Sequence, residues 1–330
     1  MGALRYLFGL AVILLLQGAV PAHAQVAIQS ITALALGNVS SAASGNTIFT
    51  VTPSTGAVTT TGNGARITTT VPVRATVTIR CTGSTAVCNA GTINVRVGNG
   101  GAGTGRALTV TNLTAASGTA TLVAVPTPGD PITFQISPIP RNTNRTFYVG
   151  GDITITGDDG GGTTGAATIP INVRVAIAPA TPATPGTTSN ATATVYRSLS
   201  VTKTSDLGFG KIVKPTSSTN TYTINAGTGA LTRTGTGNAV QVGAVTRSSF
   251  SLTGEAGRVV SVVLSPATTL VLTRSGGAQT LNVTLSRSPT GTITLTGGVG
   301  TLHIGGALTV GTTTTTGDYS GTLNVTFNYN

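Results

Sequence analysis

The sequence predicts an all-β protein made of two tandem antiparallel β-sandwich domains. Three observations predict this class: the helix-favouring residues Glu, Lys and Met are scarce, short apolar–polar alternations recur, and a long segment is repeated. Thr, Gly, Val and Ala dominate, whereas Glu255 is the only glutamate and Trp is absent. Glu, Lys and Met favour helices, while Val, Ile and Thr favour the pleated surface of a sheet. The composition therefore indicates strands along most of the chain.

The first 24 residues have the features of a secretory signal peptide. Arg5 supplies a positive charge, residues 7–16 form an apolar run, and Ala22 and Ala24 are the small residues that signal peptidase reads. We predict cleavage after Ala24. The apolar run is about half of the roughly 20 residues that span a bilayer, and no other stretch is long enough. The sequence thus predicts an exported protein of the periplasm, cell surface or exterior, with no transmembrane segment after cleavage.

Short alternating runs separated by Gly, Asn, Asp and Pro predict the strands. About seven such runs occur in each half, which is typical of an antiparallel sandwich. In the last run, Leu323, Val325, Phe327 and Tyr329 alternate with polar residues, so we expect one buried and one polar face. The predicted strands are 71–79, 92–97, 108–113, 132–136, 153–156 and 169–175, then 193–201, 222–224, 258–264, 269–272, 281–285, 308–310 and 321–329.

An internal duplication is indicated by matches at a constant offset of 173 residues. Segments 36–39, 49–51 and 54–64 correspond to 209–212, 222–224 and 227–237, with seven identities in the last block. Near the ends of the copies the offset falls to 155 and then 154. We therefore expect an insertion of about eighteen residues in the first copy, which includes the Cys81–Cys88 loop and the Gly-rich stretch after Val97.

Composition sets the predicted domain boundaries. Residues 178–190 are rich in Pro and Thr, which favours an extended spacer. We predict a signal peptide at 1–24, a divergent sandwich at 25–177, a linker at 178–190 and a second sandwich at 191–330.

Residues 191–330 resemble a family of exported, mainly alphaproteobacterial domains of unknown function. The resemblance is carried by the opening strand and "FG" turn at 198–212, by the hairpin at 227–230, and by Gly305-Gly306 followed by the closing segment 317–329. The first copy departs from this pattern because it lacks the Tyr-Ser-Gly closing turn and adds two cysteines.

The closing strand of that family is distantly similar to those of alternate chaperone–usher fimbrial subunits and spore-coat-U-like proteins. The resemblance implies immunoglobulin-like sandwiches and strand exchange between subunits. It brings no catalytic residues to this chain.

Few residues could carry chemistry, and we predict that the protein is not an enzyme and needs no cofactor. His303 is the only histidine after the signal peptide, and no carboxylate or cysteine accompanies it in the sequence. Cys81 and Cys88 bracket a six-residue loop, which in an oxidising compartment predicts a disulfide closing a hairpin. Asp158 and Asp159 lie in a Gly-rich loop, where they are weak candidates for a Ca²⁺ site or form a solvated turn.

The charge balance leaves two interpretations of the partners. The net charge is +11 because acidic residues are few, and no cluster of Lys or Arg stands out. Scattered arginines could serve solubility or attract anionic surface polysaccharide, whereas nucleic acid is not expected. We favour a structural or adhesive surface protein, fimbria-like and assembling with itself or other subunits by strand exchange, with a segment such as Gln25–Leu36 as donor. The alternative is a binding module for acidic cell-surface carbohydrate.

Overall fold

The computed structural model describes residues 25–67 and 73–330, so the predicted signal peptide and its cleavage site lie outside the described residues. The described chain is all-β, with antiparallel sheets, as the sequence predicts. It divides into two compact units, the first ending at Val195 and the second comprising Tyr196–Asn330 with Ser40–Ala43. None of the helices in the described part of the chain is long and apolar enough to cross a membrane.

The first unit is a two-layer sandwich with one continuous core. One sheet has the strand order β1-β6-β10-β3-β4, with β8 on the other side of β10, and the second has the order β5-β2-β12-β11-β7-β9. Apolar side chains from both sheets form a single buried cluster. The strands are β1 (Val26–Ile31), β2 (Ala35–Ser40), β3 (Thr47–Val51), β4 (Val58–Thr61), β5 (Ala65–Arg66), β6 (Ala75–Cys81), β7 (Ile93–Asn99), β8 (Ala107–Ser117), β9 (Ile132–Ile136), β10 (Asn144–Ile155), β11 (Gly165–Ile177) and β12 (Thr187–Tyr196); a helix α1 (Thr85–Ala90) and a 3-10 turn (Asp158–Gly160) are inserted between them.

The second unit has one large sheet and two small ones. The large sheet has the order β13-β18-β23-β21-β20-β24, with β15 and β16 beside β23, and the small sheets are β14-β17 and β22-β19-β25. Its buried side chains form two smaller clusters. The strands are β13 (Ser200–Ser205), β14 (Lys211–Val213), β15 (Thr219–Ile224), β16 (Leu231–Thr234), β17 (Val240–Val242), β18 (Ser248–Thr253), β19 (Val259–Ser265), β20 (Thr269–Arg274), β21 (Thr280–Ser288), β22 (Ile293–Thr294), β23 (Val299–Gly311), β24 (Tyr319–Ser320) and β25 (Asn324–Tyr329).

The two units share strand register around one long strand each, β10 in the first and β23 in the second. In the first unit Phe49 faces Ile153 across the β3–β10 pair, and in the second Tyr222 faces Leu308 across β15–β23. These are the positions that the sequence matches at offsets 173 and 155. Each long strand also changes its partner midway. Strand β10 pairs first with β6 and then with β3. Strand β23 pairs first with β18 and then with β15. This shared register supports the duplication, which we retain as a proposal.

A glycine occupies the position at which each long strand changes its partner strand: Gly150 in β10 and Gly305 in β23. A Cβ atom on Gly150 would lie well under 3.0 Å from the Val51 carbonyl oxygen, and one on Gly305 equally close to the Ile224 carbonyl oxygen. Only a residue without a side chain fits this close backbone approach. Gly305 and the following Gly306 both lie within strand β23.

The segment expected to link the domains, 178–190, belongs to the first unit. Residues 178–186 connect β11 to β12, and β12 pairs antiparallel along β11 from Val173↔Thr187 to Gly165↔Val195. The expected strand at 193–201 is accordingly split between β12 and β13. Proline and threonine favour extended chain both in a spacer and in a hairpin connection, so composition does not distinguish the two.

The extra length of the first copy is only partly where we expect it. Helix α1 and the cysteine loop lie between β6 and β7, whereas only 254–258 separate the corresponding β18 and β19. In contrast, the Gly-rich connection from β7 to β8 is shorter than its counterpart 266–279, which contains β20. The Gly-rich stretch is therefore not an insertion.

Candidate strand-binding groove

The second unit lacks one strand that the first unit has. In the first unit the sheet runs β5-β2-β12-β11-β7-β9, and β12 lies between β2 and β11. The second unit repeats this order as two separate pieces, β17-β14 and β25-β19-β22, with no strand among the described residues joining β14 to β25. One edge of β14 and one edge of β25 are thus left without a partner strand.

The correspondence of these strands rests on sequence and backbone together. Segment 36–39 in β2 matches 209–212 at the start of β14, and Gly37 and Gly210 both have positive φ, at 73° and 66°. Segment 168–175 in β11 matches 322–329 in β25. Val173 of β11 pairs with Val97, and Phe327 of β25 pairs with Val262, so β7 and β19 also correspond.

An apolar groove lies where the additional strand would run. It is an open cavity of about 840 Å³. One side is lined by β14 and the residues before it, the other by residues 314–323 and Val325 of β25, and β20, β21 and β23 of the large sheet contribute apolar side chains between them. The apolar lining includes Leu207, Phe209, Ile212, Leu270, Leu272, Leu281, Val283, Leu308, Val310, Leu323 and Val325. We call this cavity the acceptor groove.

Burial at matched positions differs between the two units. Ile169 and Ile171 of β11 are 2% and 3% exposed, whereas their counterparts Leu323 and Val325 are only partly buried. On the other side, Leu34 is fully buried and its counterpart Leu207 is only partly buried. Strand β12 covers these side chains in the first unit, and nothing in the described chain covers them in the second.

Strand β12 shows what fits between the two edges. It presents Ala191, Ala193 and Val195 to the core, with 0%, 7% and 0% exposure, while alternate residues face outward. Its main chain pairs with β11 on one side and with β2 on the other, and just before β2 the Leu34 carbonyl accepts a hydrogen bond from the Thr192 N–H at 2.8 Å. An occupant of the acceptor groove therefore needs an extended backbone and apolar side chains at every second residue.

All three lysines of the chain line the acceptor groove. Lys203 is paired with Asp206 at 2.7 Å, and both side chains are exposed. Lys211 and Lys214 have no salt bridge within the described residues. Asp318 lies on the lining as well. Sequence analysis missed this surface, although three lysines within twelve residues of a chain that has no others were a visible signal.

The predicted disulfide is present, in a different local structure. Cys81 at the end of β6 is bonded to Cys88 in helix α1, and both are buried. The loop is helical, not a hairpin turn, because Ser84 caps α1: its side-chain oxygen accepts from the Val87 N–H. The bond ties α1 to the end of β6 and lies far from the second unit's groove in sequence.

The acidic pair that was a weak Ca²⁺ candidate is engaged by the protein itself. Asp158 pairs with the buried guanidinium of Arg106, and the Asp159 carboxylate accepts from the Gly45 N–H at 3.0 Å. Within residues 25–67 and 73–330, no group of three His, Cys, Asp or Glu side chains could hold a metal ion. Both carboxylates thus fasten the 3-10 turn to neighbouring loops.

His303 lies in β23, next to a serine and an arginine. Its Nδ1 is 2.9 Å from the hydroxyl of Ser249, the residue opposite it on β18. Partial burial lowers the pKa of His303, and the nearby Arg247 lowers it further. These surroundings favour the neutral imidazole and include no carboxylate partner, so they do not resemble an assembled acid–base site.

Many arginines are used inside the fold. Arg74 and Arg247 each donate to a main-chain carbonyl at 2.9 Å, those of Pro53 and Ala226, and Arg287 donates to that of Val262. Arg106 is buried in its ion pair. The scattered arginines therefore satisfy carbonyl groups of the chain, which accounts for part of the positive charge without an anionic polymer.

Comparison with known proteins finds a family match within the second unit. Residues 199–329 match a family described as "Domain of unknown function (DUF4402)". The match covers the region for which the sequence resemblance was noted and leaves the first unit unassigned. No curated protein matches the chain.

Two solved structures of pilus proteins align with most of the chain. One is the CsuC–CsuE chaperone–tip adhesion subunit pre-assembly complex of archaic chaperone–usher Csu pili from Acinetobacter baumannii: 12% identity, 90% of this chain and 99% of that chain, TM-score 0.24. The other is the CupB6 tip adhesin from Pseudomonas aeruginosa: 12% identity, 77% and 85% coverage, TM-score 0.17.

Proposed function

We propose that this chain is a non-enzymatic structural or adhesive subunit of the bacterial cell surface, and that its second domain is completed by a strand from another subunit. The observation that carries the proposal is the acceptor groove: two unpaired strand edges flank an apolar trough at the position that β12 fills in the first unit. The predicted signal peptide supports export, and the apolar groove lining supports an assembly role over catalysis.

An inserted strand would satisfy both the backbone and the side chains of this site. Unpaired edges of β14 and β25 offer main-chain donors and acceptors to an extended segment, which is how strand addition gains affinity. Partly exposed residues such as Leu272, Leu323 and Val325 would be removed from water at about 25 cal/mol per Å² of apolar surface. A protein in which the acceptor groove stayed open would also expose an apolar surface that favours aggregation.

The donor segment expected from the sequence, Gln25–Leu36, is already in use. Strand β1 pairs with β6 from Val26↔Cys81 to Ile31↔Val77, and Leu34 and Leu36 are fully buried in the first core. Donating this segment would unpair a sheet and expose a core, so that expectation is wrong for this fold. We therefore propose that the donor comes from a different subunit.

The proposal can be tested by supplying the strand within the chain. In the first unit, Ile177 leaves β11 and the chain returns as β12, so the sequence of 177–196 is a complete connection plus strand. Appending that sequence after Asn330 should place a second copy of β12 beside β25. We expect a higher melting temperature and less binding of a hydrophobic dye than for the unextended chain.

A matched control separates insertion from a trivial effect of the tail. In the control extension, the residues copied from Ala191, Ala193 and Val195 are replaced by Asp, which cannot be buried in the groove without a large cost. Equal melting temperatures for the two extensions would contradict the acceptor role. Immunogold labelling of intact cells tests the surface location, which absence of label on unpermeabilised cells would refute.

A further inference from the structure

We propose, on the basis of the acceptor function above, that the donor strand carries a carboxylate just after its last inward-facing apolar residue, and that Lys211 and Lys214 bind it.

The direction of the donor follows from the first unit. Strand β12 runs antiparallel to β11, so that Val195 near its end faces Gly165 at the beginning of β11. Segments 168–175 and 322–329 correspond, so Gly165 matches Tyr319, which lies shortly before the start of β25. A donor laid along β25 in the same way ends near Tyr319.

The lysines lie beside that end. The β2–β12 ladder closes with a hydrogen bond from the Ser41 N–H to the Tyr196 carbonyl at 2.8 Å, one residue after Val195. Because Asn38 matches Lys211 in the aligned "FG" segments, Ser41 matches Lys214. Lys214 therefore stands where the donor residue corresponding to Tyr196 would pair, and Lys211, three residues earlier in the chain, lines the same groove.

The charges of these two lysines are free to act on a partner. Lys203 is already paired with Asp206, but Lys211 and Lys214 are exposed and have no salt bridge among the described residues. Asp318, on the loop beside Tyr319, is the other charged group of the lining and opposes a carboxylate more weakly than two ammonium groups attract it. A donor that ends in neutral or basic residues would leave the positive charges of Lys211 and Lys214 without an opposite charge.

Three synthetic peptides test the inference on the full chain from Gln25 to Asn330. All share one alternating apolar core of β12 length, and they end in Asp-Glu, Asn-Gln or Lys-Lys. At low salt we expect the Asp-Glu peptide to bind roughly three- to tenfold more tightly than the Asn-Gln peptide, as partly exposed ion pairs allow, and the Lys-Lys peptide to bind most weakly. The Asp-Glu advantage should shrink in high salt.

Lysine variants locate the effect. The double variant Lys211→Gln/Lys214→Gln should lose the Asp-Glu preference and keep binding to the Asn-Gln peptide. Arg141→Gln is the matched control, since it removes an exposed cation of the first unit that does not line the groove, and it should keep the preference. Equal binding of the acidic and neutral peptides to the unchanged chain overturns the carboxylate inference while leaving the acceptor function standing. Failure of all three peptides to bind refutes the acceptor function and this inference with it.

Discussion

The guanidinium of Arg74 lies over the ring of Tyr148, with its Cζ atom 3.5 Å from the ring centroid. The matched pair in the second unit is Arg247 and His303, and Arg247 donates to the same loop carbonyls as Arg74 does, those of Ala226 and Gly227 in place of Pro53 and Ser54. An aromatic ring beside this arginine is therefore common to both units, but only in the second unit can that ring bind a proton and become positively charged.

That difference predicts a pH dependence. Because partial burial and Arg247 lower the pKa of His303 below its ordinary value of 6.5, the unfolded chain binds a proton more readily than the folded one. The second unit should lose stability as the pH falls through 6.5 toward the lowered pKa, and the loss should be complete below it. Melting temperatures of the chain from Gln25 to Asn330 between pH 7.5 and 5.5 measure this.

His303→Tyr is the matched variant, because it installs the residue found in the first unit. We expect it to flatten the pH dependence in this window while the melting temperature at pH 7.5 stays equal or rises through the cation–π contact with Arg247. An unchanged pH slope in the variant would show that other groups cause the loss.

Gly305→Ala should strongly destabilise the second unit. The added Cβ would meet the Ile224 carbonyl oxygen and the main chain of Ala226, and paired backbone cannot move aside as a flexible side chain can. Overpacking of this kind costs about 1–3 kcal/mol or more. Gly291→Ala is the control, since nothing lies within 4 Å of its added Cβ, and its effect should stay within about 1 kcal/mol. Urea unfolding of both variants measures these costs. Similar unfolding midpoints for the two would show that the backbone at Gly305 tolerates a Cβ atom.

The disulfide should stabilise the first unit measurably. Replacing Cys81 and Cys88 together by Ser removes a cross-link that closes a short loop and places hydroxyls where buried sulfur atoms pack. We expect a loss of roughly 2–3 kcal/mol in the free energy of unfolding. Comparison of the double variant with the oxidised chain in a urea titration checks it, and an unchanged midpoint would mean that α1 holds the loop without the bond.

Composition and alternation were sufficient to predict an antiparallel all-β chain, because a period of two and the scarcity of helix formers are local properties. They could not predict the acceptor groove. The alternation of Leu323, Val325 and Phe327 predicts an apolar face, and that face exists, but periodicity does not say what covers it. Coverage depends on which strand lies beside β25, a long-range relationship that the Pro- and Thr-rich composition of 178–190 concealed by resembling a spacer.

Because the second unit lacks a strand, a Val→Ala substitution on its core-facing side should reduce stability less than one in the first unit. Val173 of β11 is 1% exposed beneath β12, whereas Val325 of β25 lines the open groove and is only partly buried. Val173→Ala should lower local stability by about 1–3 kcal/mol, and Val325→Ala by less than about 1 kcal/mol, because fewer contacts are lost. Hydrogen exchange measures each loss of stability separately: peptides from β7 report on Val173→Ala, and peptides from β19 report on Val325→Ala. When the 177–196 extension fills the groove, the cost of Val325→Ala should rise toward that of Val173→Ala; a cost that stays small would mean that the extension does not cover Val325.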